Sequence, residues 1–448
     1  MFARVALLST LALLSAPRPL DASAFRPPPA GKRTQEVIWK PAPEVRSRHY
    51  RILSDLDEDS TRLFAEHLDA MHDGYSRRFA SLPQRVPEAP MVMMFASERD
   101  YVDVLRIRFG IDAAGSGGMF FVAPTGAGLA FYTEALPRAR VLHVIQHEGF
   151  HQFAHSRFLG ALPPWLSEGL AEYFGHSFVL DGRVVVGQAT PAAVDGVKRA
   201  IDAGKTVPFR RMLTMPVDAW NENVRSGDGS VQYLQAWSMV QFLSWAEDGR
   251  YQQAFEGYLR AIHAGTPSER AFVEAFRTND IDSFERAWRS WAATQRPSSF
   301  GTAATRLTFL AEGMRALSRE GIAFEGFDDL LSKLRERDFS IETALHGRAE
   351  RMRADEGLLD IPEDSLTKTK PVFELLPAKR AGTTRSAKER EDASPLPPDV
   401  TTRGLEPREL LLRWRRLRSG AVEYTIESPK EAPRAPKAKP SDAPREKE

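Results

Sequence analysis

The run His147-Glu148-Gly149-Phe150-His151 leaves this chain little freedom at its centre. Two histidines four residues apart come onto one side of a single element only in a helix, where they stand one turn apart. Leu142, Val144 and Ile145 before the run, and Phe150, Phe153 and Phe158 within and after it, make that helix largely apolar. It therefore belongs in an interior, where a Glu and two His are costly unless they hold a metal ion or hydrogen-bond partners. Among the 448 residues there is no cysteine, so disulfides, thiolate ligands and a thiol nucleophile are excluded. A metal bound by this chain must use His, Asp or Glu.

A second helix is expected just downstream. Residues 156–163 read as a loop closed by Pro163-Pro164, with Pro164 suited to a first helical turn, and Gly175 reads as the stop. Between them Glu168 and Glu172 lie one turn apart on one face. Glu168 can complete a His₂Glu set for one Zn²⁺ ion with His147 and His151, and Glu172 can hold a ligating imidazole by its far nitrogen. Glu148 sits about 100° round the helix from His147, near the ion but poorly placed to bind it, which suits a general base. His143 and His155 extend the histidine stripe by a turn each way and rotate out of reach of the same ion, so they read as packing or supporting residues.

Around this centre the pattern predicts an α+β fold. Strands are expected at 49–53 and 90–95, an amphipathic helix at 57–79, and another at 98–109 capped by Ser97. Met119–Val122 and Gly128–Thr133 flank a turn and read as an edge hairpin. From Pro137 the chain becomes mainly helical, with a short strand pair expected across Asp181-Gly182. The boundaries follow as 1–24, 25–47, 48–295, 296–372 and 373–448. They mark a signal peptide cut after Ala22-Ser23-Ala24, a Pro-rich linker, the main domain, a helical extension and a disordered Pro- and charge-rich tail. The N-terminal apolar run falls short of the ~20 residues a bilayer span needs, so export to the periplasm or beyond is expected. Within the tail, Glu409–Ser419 reads as a basic amphipathic helix, able to touch an anionic envelope surface or lie against its parent domain.

HEGFH followed by PPWLSEGLAEYF resembles the gluzincin (peptidase MA-like) metallopeptidases, closest to secreted bacterial families carrying W-L-x-E-G-x-A-E. The likeness covers roughly residues 48–290. It implies a zinc peptidase with Glu168 as third ligand and Tyr233, on a later helix, stabilising the oxyanion. The metzincin pattern fails, because Ala154 and Arg157 stand where its Gly and His belong. Gly118, Met119 and Phe120 lie where aminopeptidase relatives carry G-x-M-E-N and are the expected substrate-binding strand. Phe120 replaces the acidic residue that would capture a free amine, which favours internal cleavage of a peptide or protein substrate.

A formal net charge of +1 gives no general attraction to nucleic acid, and none is expected as a partner. The competing expectations are a zinc-containing but non-catalytic envelope-binding module of the same fold, and an interaction protein acting mainly through its tail.

Overall fold

The computed structural model describes residues 39–83, 89–124, 126–158, 162–227, 229–345, 348–363, 368–376, 395–406, 408–417 and 420–429. The expected signal peptide, residues 1–24, lies outside them. So does the linker up to residue 38, but its remainder is part of the fold. Trp39 is buried with its ring 4.5 Å from that of Phe95, and Val45–Arg46 (β1) pairs with Arg51–Ser54 (β2).

Asp57 caps helix α1 (Glu58–Arg78), accepting from the Ser60 amide, and Leu68, Met71 and Tyr75 set its buried face at helical spacing. Strand β3 (Met91–Phe95) leads into α2 (Glu98–Phe109), which Ser97 caps as the sequence predicts. A hairpin of β4 (Gly118–Ala123) and β5 (Gly126–Tyr132) completes a five-stranded sheet in the order β1-β2-β3-β5-β4. Strands β2, β3 and β5 run parallel, with β1 and β4 antiparallel on the two edges.

Alternation along the strands sends side chains to two cores. Met93, Phe95, Met119 and Phe121 face α2, while Val92, Met94, Leu129 and Phe131 face α1 and the helix that follows.

That helix, α3 (Arg138–Arg157), carries the histidine run, and α4 (Pro164–Gly175) carries the two glutamates. A hairpin of β6 (Phe178–Leu180) and β7 (Arg183–Val185) turns at Asp181-Gly182. Helices α5 (Pro191–Asp202), α6 (Phe209–Thr214), α7 (Val217–Arg225) and α8 (Gly229–Gly249) come next. The lobe closes with α9 (Gln252–His263), α10 (Ser268–Phe276) and α11 (Ile281–Thr294). They pack around a large aromatic core that includes Phe150, Phe174, Trp165, Trp237 and Trp288. Gly169 lets α4 and α8 approach closely, since a Cβ there would lie 2.6 Å from the Ala236 carbonyl oxygen.

Beyond residue 295 the structure departs from the expected helical extension and disordered tail. Helices α12 (Ser299–Arg319) and α13 (Phe327–Glu336) form, but a hairpin of β8 (Ser340–Leu345) and β9 (Arg348–Arg353) follows them. Then β10 (Val372–Leu375), β11 (Val400–Arg403), β12 (Leu411–Arg416) and β13 (Val422–Glu427) make an antiparallel four-stranded sheet in chain order.

The basic island is thus strand β12, not a helix. Leu410, Leu412 and Trp414 alternate into a core with Leu310, Met314 and Leu334, while Arg413 and Arg415 point away. Charged stretches on both sides dilute this period-two signal in the average composition. Among the described residues no helix is long and apolar enough to cross a membrane.

Candidate metal centre

The apolar residues of α3 lock it between the first sheet and α4, so its polar residues meet those of α4 across a dry seam. His147, Glu148, His151, Glu168 and Glu172 are all buried. His147 Nε2 and His151 Nε2 lie 3.1 Å apart, and Glu168 Oε2 is 3.3 Å from the first and 3.4 Å from the second. Three atoms carrying lone pairs therefore converge on one point, an arrangement that could hold a metal ion. Glu148 belongs to the same helix turn but faces β4. Its Oε2 accepts the Phe120 amide at 2.8 Å, and its buried Oε1 has no hydrogen-bond partner among the described residues.

Both histidines are oriented from behind. Glu172 Oε1 lies 3.1 Å from His147 Nδ1, and Ser167 Oγ lies 3.3 Å from His151 Nδ1. Such contacts fix the ring and aim Nε2 at the centre.

The electrostatics follow from packing acids and bases together out of water. Burial opposes the charged form of His147, but its hydrogen bonds to Glu168 and Glu172 prevail and lift it well above the usual imidazole range. Burial likewise pushes Glu168 up, yet the neighbouring His151 and His147 hold it at about 2. Glu148 is raised by burial, with His147, His151 and the Phe120 amide pulling the other way.

The other residues singled out by sequence divide. Tyr233 is buried beside the centre, its ring 6.5 Å from His147 and 5.5 Å from Trp220. Burial, with Glu168 adding its charge, holds the Tyr233 phenol protonated. Phe120 reaches the site through its amide, and its ring lies 5.4 Å from His155. Gly118 packs its backbone against Val144. Met119 does not face the site. It falls on the opposite face of β4, in the core with Tyr101 and Val104, because adjacent strand residues alternate. Its side chain therefore does not line the centre, while its backbone remains part of edge strand β4.

His143 is not one of the three donors that converge there; its Nε2 lies near Glu172 Oε2 instead. His176, which sequence spacing does not single out, caps α4 one turn beyond Glu172. Its only signal was the i, i+4 spacing from Glu172, obscured by taking Gly175 as the end of the pattern.

Fold and site define an α+β protein with a buried His/Glu centre suited to a metal ion. The model of a family described as a protein of unknown function (DUF1570) matches residues 141–262, from α3 to α9, so this part of the chain is similar to that family. A comparison with curated proteins finds no match.

Proposed function

We propose that the chain is an exported zinc metallopeptidase, cutting within peptide or protein chains, with Glu148 as general base. The observation that carries this reading is the triangle of His147 Nε2, His151 Nε2 and Glu168 Oε2, with edges of 3.1, 3.3 and 3.4 Å. Tetrahedral bonds of about 2.0–2.1 Å give edges of about 3.3–3.4 Å, so the donor set and its spacing fit zinc. Three protein ligands leave one position open, the pattern of catalytic rather than structural sites.

Zinc bound there supplies Lewis acidity, activating water and polarising a scissile carbonyl. The remaining work belongs to the chain. The Phe120 amide holds Glu148 Oε2, so Oε1 is the atom that takes a proton from the attacking water and returns it to the leaving amine. Burial raises Glu148 toward the range where both transfers are effective. Tyr233, kept protonated, is the side chain offered to the oxyanion. Edge strand β4 supplies a backbone against which an extended substrate can be laid.

The test is cleavage of a quenched peptide library by the full-length chain, before and after chelation and again after zinc is restored. Cleavage that disappears with the metal and returns with it is expected. An enzyme that binds zinc and cuts no member of the library would sink the reading in favour of a non-catalytic metal-binding module.

A further inference from the structure

Glu172 is fully buried and uses its two oxygens in opposite directions. Oε1 faces His147, while Oε2 lies 3.6 Å from His143 Nε2 and 3.6 Å from His176 Nε2. These three residues form a second buried group of converging nitrogen and oxygen donors, with one ligand atom from each within 4.8 Å of the others. His143 comes from α3, and Glu172 and His176 from the end of α4.

We propose that His143, Glu172 and His176 form a second zinc-type metal site. The His143 ring is fixed first. Its Nδ1 lies 3.1 Å from the Gly175 carbonyl oxygen, which can only accept, so Nδ1 carries the proton. That tautomer presents the Nε2 lone pair to Glu172 Oε2.

A separation of 3.6 Å exceeds ordinary hydrogen-bond range but suits two ligands joined through one ion by bonds of about 2.0–2.2 Å. Gly175 makes the ring position possible, since a Cβ there would stand 2.9 Å from His143 Cε1. The His176 ring is held between that of His143, at 5.3 Å, and that of Trp237, at 5.8 Å.

His143, Gly175 and His176 adjoin a cavity of about 690 Å³ that reaches between the helical lobe and the C-terminal sheet, where Asp181, Asp355 and Glu427 also lie. The donor atoms themselves, His143 Nε2, His176 Nε2 and Glu172 Oε2, are buried behind it. Two imidazoles and one carboxylate with no sulfur select a borderline divalent ion over calcium or magnesium.

The experiment uses the full-length chain stripped by chelation, with Zn²⁺ alone as the probe. Crystals of the unaltered protein measured at the zinc absorption edge should show two anomalous peaks, one of them bounded by His143, Glu172 and His176. In solution the unaltered chain should bind two equivalents. The H143A/H176A double variant should bind one, and H147A/H151A should also retain one. A sole peak at His147, His151 and Glu168, or two equivalents still bound by folded H143A/H176A, would overturn the second site. The diffraction arm needs no variant to fold. A sole peak at the second cluster would support this site while removing the ligand set of the proposed peptidase, so the two readings fail separately.

Discussion

Helices α3 and α4 and the inner face of the sheet β10–β13 both contribute to cores, but they are buried on opposite terms. The helices turn His147, Glu148, His151, Glu168 and Glu172 into their shared seam, where ionisable groups are expensive to keep dry. The sheet turns in Val400, Leu410, Leu412 and Trp414, which cost nothing to desolvate. The first region gives up stability to hold a chemical arrangement, and the second stabilises the scaffold. They meet at Arg138, the first residue of α3, whose guanidinium binds Glu423 Oε2 at 2.9 Å and the Tyr424 carbonyl oxygen at 2.7 Å.

The sharpest way to break this contrast is to remove a ligand. H151A or E168A should lose the zinc of the first site and cut peptide turnover by about 10³-fold or more, a term that metal activation of water alone can supply. Apo E168A should nevertheless stay folded in circular dichroism. Unchanged zinc content in E168A would remove Glu168 from the set.

Leu412→Ala asks the reverse question of the sheet. It should cost about 2–5 kcal/mol in chemical denaturation while the folded protein keeps its zinc. A loss below about 1 kcal/mol would mean that the C-terminal sheet is not part of one cooperative core.

Arg138→Ala tests the joint. Removing a charged donor from a half-buried carboxylate and a carbonyl should cost about 1–3 kcal/mol and leave zinc content unchanged. An effect within about 0.5 kcal/mol would show that the contact is a solvated surface pair.

The smallest effect expected is in the pH profile. His67 Nε2 lies 3.0 Å from the Gln146 side-chain amide nitrogen and must stay unprotonated to accept from it. Burial, aided by the nearby Arg138 charge, lowers His67 to about 3 in the folded chain, against about 6.5 when unfolded. Between these values the unfolded chain binds the proton that the folded one refuses. Stability from this residue is therefore complete above pH 6.5 and falls as the pH drops toward 3. His67→Gln should flatten that limb. An identical slope in the variant would assign it to other groups.

What was legible in the sequence tracks the same division. Strong local rules located α1, α2, the β4–β5 hairpin, α3 and α4: caps at Asp57 and Ser97, a proline at 164, and helical or alternating apolar spacing. The His147, His151 and Glu168 grouping was legible in part: i, i+4 spacing put the two histidines on one face, while Glu168 rested on the second helix and the family resemblance.

The C-terminal sheet was not, because its strands are four to six residues long and separated by charged stretches that dominate the composition. Nor could spacing reveal that Phe120 contributes an amide rather than a ring, or that Met119 turns away. Those depend on which face of β4 meets α3. His176 was hidden because His143, whose ring lies 5.3 Å from its own, is 33 residues away in the chain.

The central claim is that one ion-binding triangle and one adjacent carboxylate divide the work of peptide hydrolysis. Zinc content and peptide cleavage measured together for the full-length chain and for E148Q test it most directly. Zinc binding equal to that of the unaltered chain is expected, with turnover reduced about 10²–10⁴-fold. Cleavage by E148Q at the original rate, with zinc in place, would contradict it.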